Sequence, residues 1–405
     1  MTAEGRAGAL RIRALTKLFG DVRAVDGIAL EVRPGEFVTL LGPSGSGKTT
    51  TLRMIAGFIE PESGTIEVDG RELTGVPPYK RDVGMIFQNY ALFPHMTAEQ
   101  NIAFPLEMRG VRRAEARRRV DQALEMVRLG GLGRRYPRQL SGGQQQRIAF
   151  ARAVVFNPRL LLMDEPLGAL DKKLREALQL EIIRISRQLG ITVLYVTHDQ
   201  EEALVLSDRI AIFNHGRIEQ LGSGEDLYER PASLFVADFI GESNIFRGRL
   251  AADEGGQWVV SGANRWRVSA EAVARTGLVS GSAAAVVVRP ERLRILDGGG
   301  PGDADNSVDA TVSQLIYLGS ARKYQMRLAD GTPVIVREQA GSGTPELAAG
   351  RPVRLGWSVA EGVVVADEAP EQLARDEAGD VVRGGVTEGL PGEATERVAP
   401  ISHRE

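Results

Sequence analysis

One glycine-rich octapeptide, Gly42-Pro43-Ser44-Gly45-Ser46-Gly47-Lys48-Thr49, limits what this chain can fold into more than any other segment. It follows an apolar run, Phe37–Leu41, and opens a helical pattern over Lys48–Ala56 that Gly57 closes. Strand, glycine loop and helix in that order, with Lys and Thr ending the loop, form the phosphate-binding pattern G-x-x-x-x-G-K-[ST]. The glycines let backbone N–H groups converge on phosphate oxygens, and the helix aims its positive N-terminus at the same anion. Lys48 is expected to reach the β and γ phosphates of a nucleotide, and the Thr49 hydroxyl to ligate Mg²⁺. Thr50 continues the same first helical turn. The motif specifies a nucleotide but leaves kinase, GTPase and motor equally open.

The rest of the chain supplies a frame for such a loop. At 405 residues it is too long for one ordinary domain. Up to about residue 240, short β-branched runs alternate with longer helical patterns, which predicts an α/β layer fold with a mainly parallel sheet. Leu160–Met163 and Thr192–Val196 are apolar without alternation, as in strands buried on both faces. Helical stretches occupy 97–130, with the Arg-rich segment Arg109–Arg119 between them. From about Ser243 the texture changes to short strands with turn signals: Ala284–Arg289, Ala310–Tyr317, Tyr324–Leu328 and Val334–Arg337. Asp330-Gly331 is a hairpin signal. A Gly/Asp stretch at 297–305 divides this half in two, and a small all-β, OB-like barrel over 243–365 is expected. Residues 366–405, poor in apolar side chains, predict a disordered tail.

Composition narrows the function classes. Hydrophobic residues make up 43% and charged residues 25%, enough to fill a sizeable core. A formal net charge of -3 gives no reason to expect nucleic acid as a partner. With no cysteine, disulfides and thiolate metal sites are excluded. The N-terminus lacks the pattern of a signal peptide, and nowhere do about 18 uncharged apolar residues run together. Any membrane part of this system is expected from other chains.

Two further motifs carry chemistry. Leu160–Met163 runs into Asp164-Glu165, an apolar strand ending in carboxylates. Asp164 is expected to hold Mg²⁺, and Glu165 to act as the general base for the water that attacks the γ phosphate. Leu140-Ser141-Gly142-Gly143-Gln144 precedes a helical run over Gln145–Val155 and forms a second phosphate site at a helix N-terminus. With this segment the chain resembles the ATP-binding subunits of ABC transporters, whose signature is LSGGQ. The resemblance covers roughly residues 9–240 for the ATPase, including a helical subdomain at about 89–157. More loosely it covers 243–365, as a C-terminal (TOBE-like) module.

That resemblance implies a homodimer in which Ser141, Gly142, Gly143 and Gln144 of one subunit close on the γ phosphate held by the other. It implies that Phe19 stacks on adenine and that Gln88 touches Mg²⁺ and the attacking water. Gly168-Ala169-Leu170-Asp171 is similar to the loop that crosses the interface, and His198 to the switch histidine near the γ phosphate. Asn89–Thr97, unusually apolar with Tyr90, Leu92, Phe93 and Met96, corresponds to a groove that receives a short helix from each of two membrane permease subunits. An extracytoplasmic substrate-binding protein takes part indirectly. The implied placement is peripheral, on the cytoplasmic face of the inner membrane. Within the branch carrying a C-terminal β module, Pro77–Val83, Asn89–Thr97 and Gly241-Glu242-Ser243-Asn244 look most like spermidine/putrescine import ATPases. Ferric-iron, phosphonate and sugar importers are the nearest alternatives, and a soluble ABC ATPase acting on nucleic acid or ribosomes is a third. The 93 residues from Lys48 to Ser141 leave room only for a small helical subdomain.

Overall fold

The structure, a computed structural model, describes residues 8–168, 171–262, 264–296, 304–341 and 346–367. Of the tail expected at 366–405, Ala366 instead ends the last strand and residues 368–405 lie outside the described residues, as do 297–303 of the Gly/Asp stretch. Two sheets carry the first half. One is antiparallel, in the order β2 (Val22–Val32), β1 (Leu10–Phe19), β4 (Ser63–Val68), β5 (Arg71–Glu72). The other has six strands in the order β10 (Arg217–Gly222), β9 (Arg209–Asn214), β3 (Phe37–Leu41), β8 (Thr192–Thr197), β7 (Leu160–Asp164), β6 (Val83–Ile86). Every pairing in it is parallel except β10 with β9, so the mainly parallel sheet is as expected.

The central strands read as unbroken apolar runs because both faces are covered. Leu160, Leu162, Leu194 and Val196 point to a core shared with the antiparallel sheet and α1 (Lys48–Ala56). Leu161, Met163, Val193 and Tyr195 point the other way, onto a core filled by helices. Those helices are α2 (Ala98–Glu107), α3 (Arg113–Met126), α4 (Gly142–Val154) and α5 (Lys172–Leu189). Each fully buried Leu or Val on these strands contributes about 1.5–3 kcal/mol. The two cores clamp the sheet and fix the C-terminal ends of β3, β7 and β8, from which the loops of interest emerge.

The Arg-rich segment is not a linker between helices. Most of it lies in α3, whose Ala116, Val120, Ala123 and Leu124 are buried at helical spacing. Arg118 and Arg119 pair with Glu115 one turn away, which is a solvated helix face. Arg109 lies outside that helix, with its guanidinium 3.7 Å from the centre of the Phe156 ring.

After β8 come α6 (Gln200–Leu206), α7 (Gly224–Glu229) and α8 (Leu234–Phe239). The second half then builds two antiparallel five-stranded sheets. The first has the order β13 (Asn264–Val268), β12 (Gly256–Ser261), β11 (Asn244–Asp253), β14 (Ala283–Val288), β20 (Gly362–Ala366). The second has β15 (Arg294–Leu296), β19 (Pro352–Trp357), β16 (Asn306–Tyr317), β17 (Ala321–Leu328), β18 (Pro333–Gln339). One core joins both, with Phe246 stacked on Trp357 at 5.0 Å, and α9 (Ala270–Thr276) lies on it. The halves on either side of 297–305 are not sequential pieces, because β20 returns to pair with β14. Arg289 anchors this module: buried, it donates to the carbonyls of Ala237 and Tyr228 and to the Ser243 hydroxyl.

Candidate active site

The loop 42–49 is held open for an anion. Gly47 is the residue before α1, at φ 99°, and no side chain caps that helix; its first turn has no acidic residue. By contrast α2 and α4 to α9 are capped by Thr97, Ser141, Asp171, Asp199, Ser223, Ser233 and Ser269. α3 also lacks a side-chain cap, but only at α1 do the uncapped N–H groups follow the glycine loop, where they can meet an anion at the positive end of the helix dipole. A Cβ on Gly47 would lie 2.3 Å from the Ala24 carbonyl oxygen, and one on Gly42 would lie 2.2 Å from that of Phe213. Pro43, Ser44 and Gly45 are exposed along the rim, Ser46 is buried, and Thr50 is half-buried.

Lys48 is buried beneath this loop and donates to the carbonyls of Gly42 (2.9 Å) and Pro43 (2.7 Å) and to Ser46 Oγ (3.3 Å). Burial lowers its pKa, while the charges of Glu165 and Asp164 act against that shift. Asp164 ends β7, and its Oδ1 accepts from Thr49 Oγ1 at 3.1 Å. Burial pushes its carboxyl up from the usual value, against the Thr49 hydrogen bond and the Arg53 guanidinium 4.0 Å away. A desolvated carboxylate facing a hydroxyl fits Mg²⁺, which keeps several waters and takes phosphate oxygens rather than an all-protein cage. The described residues contain no cluster of three or more acidic, His or Cys side chains able to hold a metal.

Glu165 has φ 44°, a left-handed backbone that costs a non-glycine residue about 1–2 kcal/mol. Its N–H donates to the Val196 carbonyl on β8. The two carboxylate oxygens are each engaged: Oε1 lies 3.1 Å from His198 Nδ1, and Oε2 accepts from Gln88 Nε2 at 3.4 Å. Three residues taken separately from the sequence thus meet around one carboxylate. His198 and Gln88 are both exposed, so this cluster opens to solvent beside Lys48 and Asp164.

Other expected residues lie apart from that cluster. Phe19 ends β1, is half exposed, and has the Lys17 ammonium 5.3 Å from its ring centre. Ser141 caps α4, which begins at Gly142 and not at Gln145. Its hydroxyl accepts from Gln144 N at 3.4 Å, and the Gln144 side chain accepts from Ser141 N at 3.0 Å. Ser141 and Gly142 are exposed, whereas Gly143 is buried against Leu174 of α5. No hydrogen bond among the described residues joins this turn to the 42–49 loop. Asp171 caps α5 through Leu174 N, and Gly168 is exposed; Ala169 and Leu170 lie outside the described residues.

Segment 89–97 divides its apolar residues differently from expectation. Tyr90 and Leu92 pack against the helix-side core. An open groove of about 620 Å³ does exist, but only Ala91 and Phe93 of that segment line it, with Tyr79, Phe87, Phe104, Met108 and Phe156. The cause is the turn after Gln88, which points alternate side chains inward.

The sequence reading missed several residues that the fold brings here. Arg53, one turn beyond Thr49, faces Asp164. The buried Glu202 accepts from Tyr195 and Thr197 at 2.8 Å each, and burial raises its carboxyl. Arg175 on α5 reaches both Asp199 and Glu202, tying the helix after Asp171 to the loop that bears His198. The segment Thr197–Glu202 carried a readable capping pattern, Asp199 before two acidic residues; Arg175 gave no sequence signal.

Comparison with known proteins agrees with this geometry. The ABC transporter profile matches residues 25–168, and the TOBE domain profile matches residues 286–365. The spermidine/putrescine import ATP-binding protein of Rubrobacter xylanophilus is 50% identical over 356 residues, covering 87% of this chain and 93% of its own length. That of Thermobifida fusca is 52% identical, covering 82% and 86%. That of Acidothermus cellulolyticus is 47% identical, covering 90% and 97%. Among solved structures, a dimeric ATP-binding cassette bound to ADP and phosphate aligns at 32% identity with a TM-score of 0.47, covering 53% of this chain and 98% of its own. A phosphate loop on β3, carboxylates ending β7, a Ser-capped Gly-Gly helix start and relatives alike over nearly their whole length lead to one conclusion: this chain belongs to the ABC transporter family, as an ATP-binding protein.

Proposed function

We propose that this chain hydrolyses ATP to energise a membrane importer of polyamines such as spermidine and putrescine, working as a homodimer against two permease subunits. The observation that carries the reading is the convergence of Gln88 and His198 on Glu165, next to Lys48 and the Asp164–Thr49 pair. The polyamine assignment rests on the relatives, each of which is a spermidine/putrescine import ATP-binding protein.

In this reading the α1 N–H groups and Lys48 bind the phosphates of ATP, and Phe19 offers a flat ring to adenine. Lys48 exchanges its three loop acceptors for phosphate oxygens. Thr49 and Asp164, with Gln88, would hold Mg²⁺, which would supply neutralisation of the phosphate charge. Glu165 takes the proton of the attacking water, and His198 and Gln88 fix its carboxylate in line. Ser141, Gly142, Gly143, Gln144 and Asp171 belong to the site of the other protomer. The exposure of Ser141, Gly142 and Asp171, and the absence among the described residues of a hydrogen bond from the Ser141 turn to the 42–49 loop, support that division. The groove beside Gln88 supports docking of a short apolar helix of the permease, on the cytoplasmic side of the inner membrane, with an extracytoplasmic binding protein selecting the substrate. No helix among the described residues is long and apolar enough to cross a membrane. Domains at 1–240 and 243–365 follow from the change of layer at Ser243, and the second is read as a regulatory module.

The test is Glu165→Gln in the full chain. Loss of about 10²-fold or more in kcat, with ATP still bound, supports the assignment of the base. Hydrolysis at the unaltered rate removes it. Uptake of labelled spermidine against iron and sugar candidates, in cells lacking this chain, decides the cargo.

A further inference from the structure

Immediately after Gln88 the backbone does something costly. Tyr90 and Ala91 are consecutive non-glycine residues in the left-handed region, at φ 62° and 46°. The turn is tight: Tyr90 N donates to the Phe87 carbonyl at 2.9 Å and Ala91 N to the Asn89 carbonyl at 2.7 Å. Gln88 thus sits inside a closed turn that no β-carbon-bearing residue adopts without external support.

That support comes from one side chain on another element. Arg152, near the end of α4, donates from Nη1 to the Ala91 carbonyl and from Nη2 to the Tyr90 carbonyl, each at 2.8 Å. Its guanidinium lies 5.6 Å from the centre of the Phe93 ring, which packs 4.8 Å from Phe104. A planar fork spanning two adjacent carbonyls is a geometry that Arg supplies and Lys does not. Burial lowers the pKa of Arg152. The same side chain forms part of the wall of the apolar groove, with Ala91 and Phe93.

We propose that Arg152 is a positioning residue: it clamps the strained Tyr90–Ala91 turn, thereby holds Gln88 against Glu165, and carries the state of the groove to that pair. The link to hydrolysis rests on the functional reading above, whereas the clamp stands on the geometry alone. A helix seated in the groove touches Phe93, Ala91 and Arg152 together. Any shift of the fork along α4 moves the carbonyls two and three residues from Gln88. The helix that begins at the Ser141 turn and the loop that bears Gln88 are in this way joined by one side chain.

The experiment uses the full chain. Because it contains no cysteine, Asn89→Cys gives a single site for a spin label inside the turn. In Arg152→Gln the label is expected to become more mobile. The kcat is expected to fall about 10-fold or more while the KM for ATP stays within about 2-fold, since a displaced Gln88 affects the chemical step and not nucleotide capture. Ala91→Gly, which makes the left-handed turn cheap, is expected to restore immobility and to raise kcat by a larger factor in the Arg152→Gln chain than in the unaltered chain. Arg152→Lys, a second variant should the first fail to fold, can reach one carbonyl and is expected to lie between. An unchanged spectrum in folded Arg152→Gln or Arg152→Lys overturns the clamp. A mobile label with an unchanged kcat overturns the coupling. If Glu165→Gln hydrolyses ATP at full rate, the functional reading fails, and the spectra still decide the clamp.

Discussion

The conformation of Gly47 offers a quantitative test of the loop, with Gly45 as an internal control. Both are left-handed, at φ 99° and 81°, but their surroundings differ. A Cβ at Gly45 would meet nothing within 4 Å, whereas one at Gly47 would meet the Ala24 carbonyl oxygen at 2.3 Å and Val25 at 3.4 Å. Gly45→Ala therefore costs backbone strain alone, about 1–2 kcal/mol. Gly47→Ala adds a collision with main chain that no rotamer can relieve. Reaching the shortest real Cβ contact of 3.0 Å moves the loop and β2 apart by about 0.7 Å, for a total of about 3–4 kcal/mol. A displacement of that order pulls the loop N–H groups out of line with phosphate oxygens and is expected to weaken ATP binding, each hydrogen bond to a charged group being worth about 1.5–3 kcal/mol. Denaturant melts of both variants, with titration of a fluorescent ATP analogue into the Gly47→Ala chain, measure the two effects. The reasoning is refuted if Gly47→Ala is no less stable than Gly45→Ala, or if its ATP affinity is within about 3-fold of the unaltered chain.

Two other outcomes follow from the same site. Ser141→Arg and Lys48→Ala should each abolish hydrolysis alone. Mixed in equal parts, half of the dimers pair one of each and regain one whole site, so roughly a quarter of the activity should return if sites are shared between protomers. No recovery counts against shared sites. Asp164 gives a pH dependence with a definite sign. Burial raises its carboxyl above the usual 3.8, so its contribution to stability is fully present at low pH and is lost as pH rises through the raised value. Asp164→Asn removes the charge, so without nucleotide it should melt higher than the unaltered chain at pH 8 and lose that advantage toward pH 4. A variant that melts lower at pH 8 contradicts this account of the burial.

Much of this was legible in the sequence, for a physical reason: the phosphate loop, the Asp164-Glu165 strand end and the Ser141 turn are local. Each is a few consecutive residues whose conformation follows from glycine, capping and apolar runs. The antiparallel sheet was not legible, because β1 breaks its alternation at three register shifts, between Ile12 and Leu15, Leu15 and Lys17, and Lys17 and Leu18. The inward turn of Tyr90 and Leu92 was hidden because it depends on two left-handed residues that no glycine announces. Arg152 and Arg175 were hidden for the opposite reason: each looks like a solvated helix arginine until the fold brings distant acceptors to it. Arg289 is similar, since its acceptors at Ala237 and Tyr228 precede the change of texture at Ser243.

The two helix starts explain why local legibility carried the function so far. A helix N-terminus inside a stable domain ordinarily has its N–H groups satisfied by a side chain, as seven helices of this chain do. At α1, as at α3, that cap is missing, but at α1 glycine stands where Ser or Asp would serve, so stability is forgone at the end proposed to take a phosphate. At α4 the cap is present, from Gln144 N to the Ser141 hydroxyl, and it faces solvent. A solvent-exposed hydrogen bond contributes only about 0.5–1.5 kcal/mol net and can be exchanged for one to a phosphate oxygen. In the function proposed above, the first helix holds the nucleotide, and the second stays folded without one and engages it only on contact. That asymmetry is what a site shared between two copies requires, because the half that arrives must be stable while it is away.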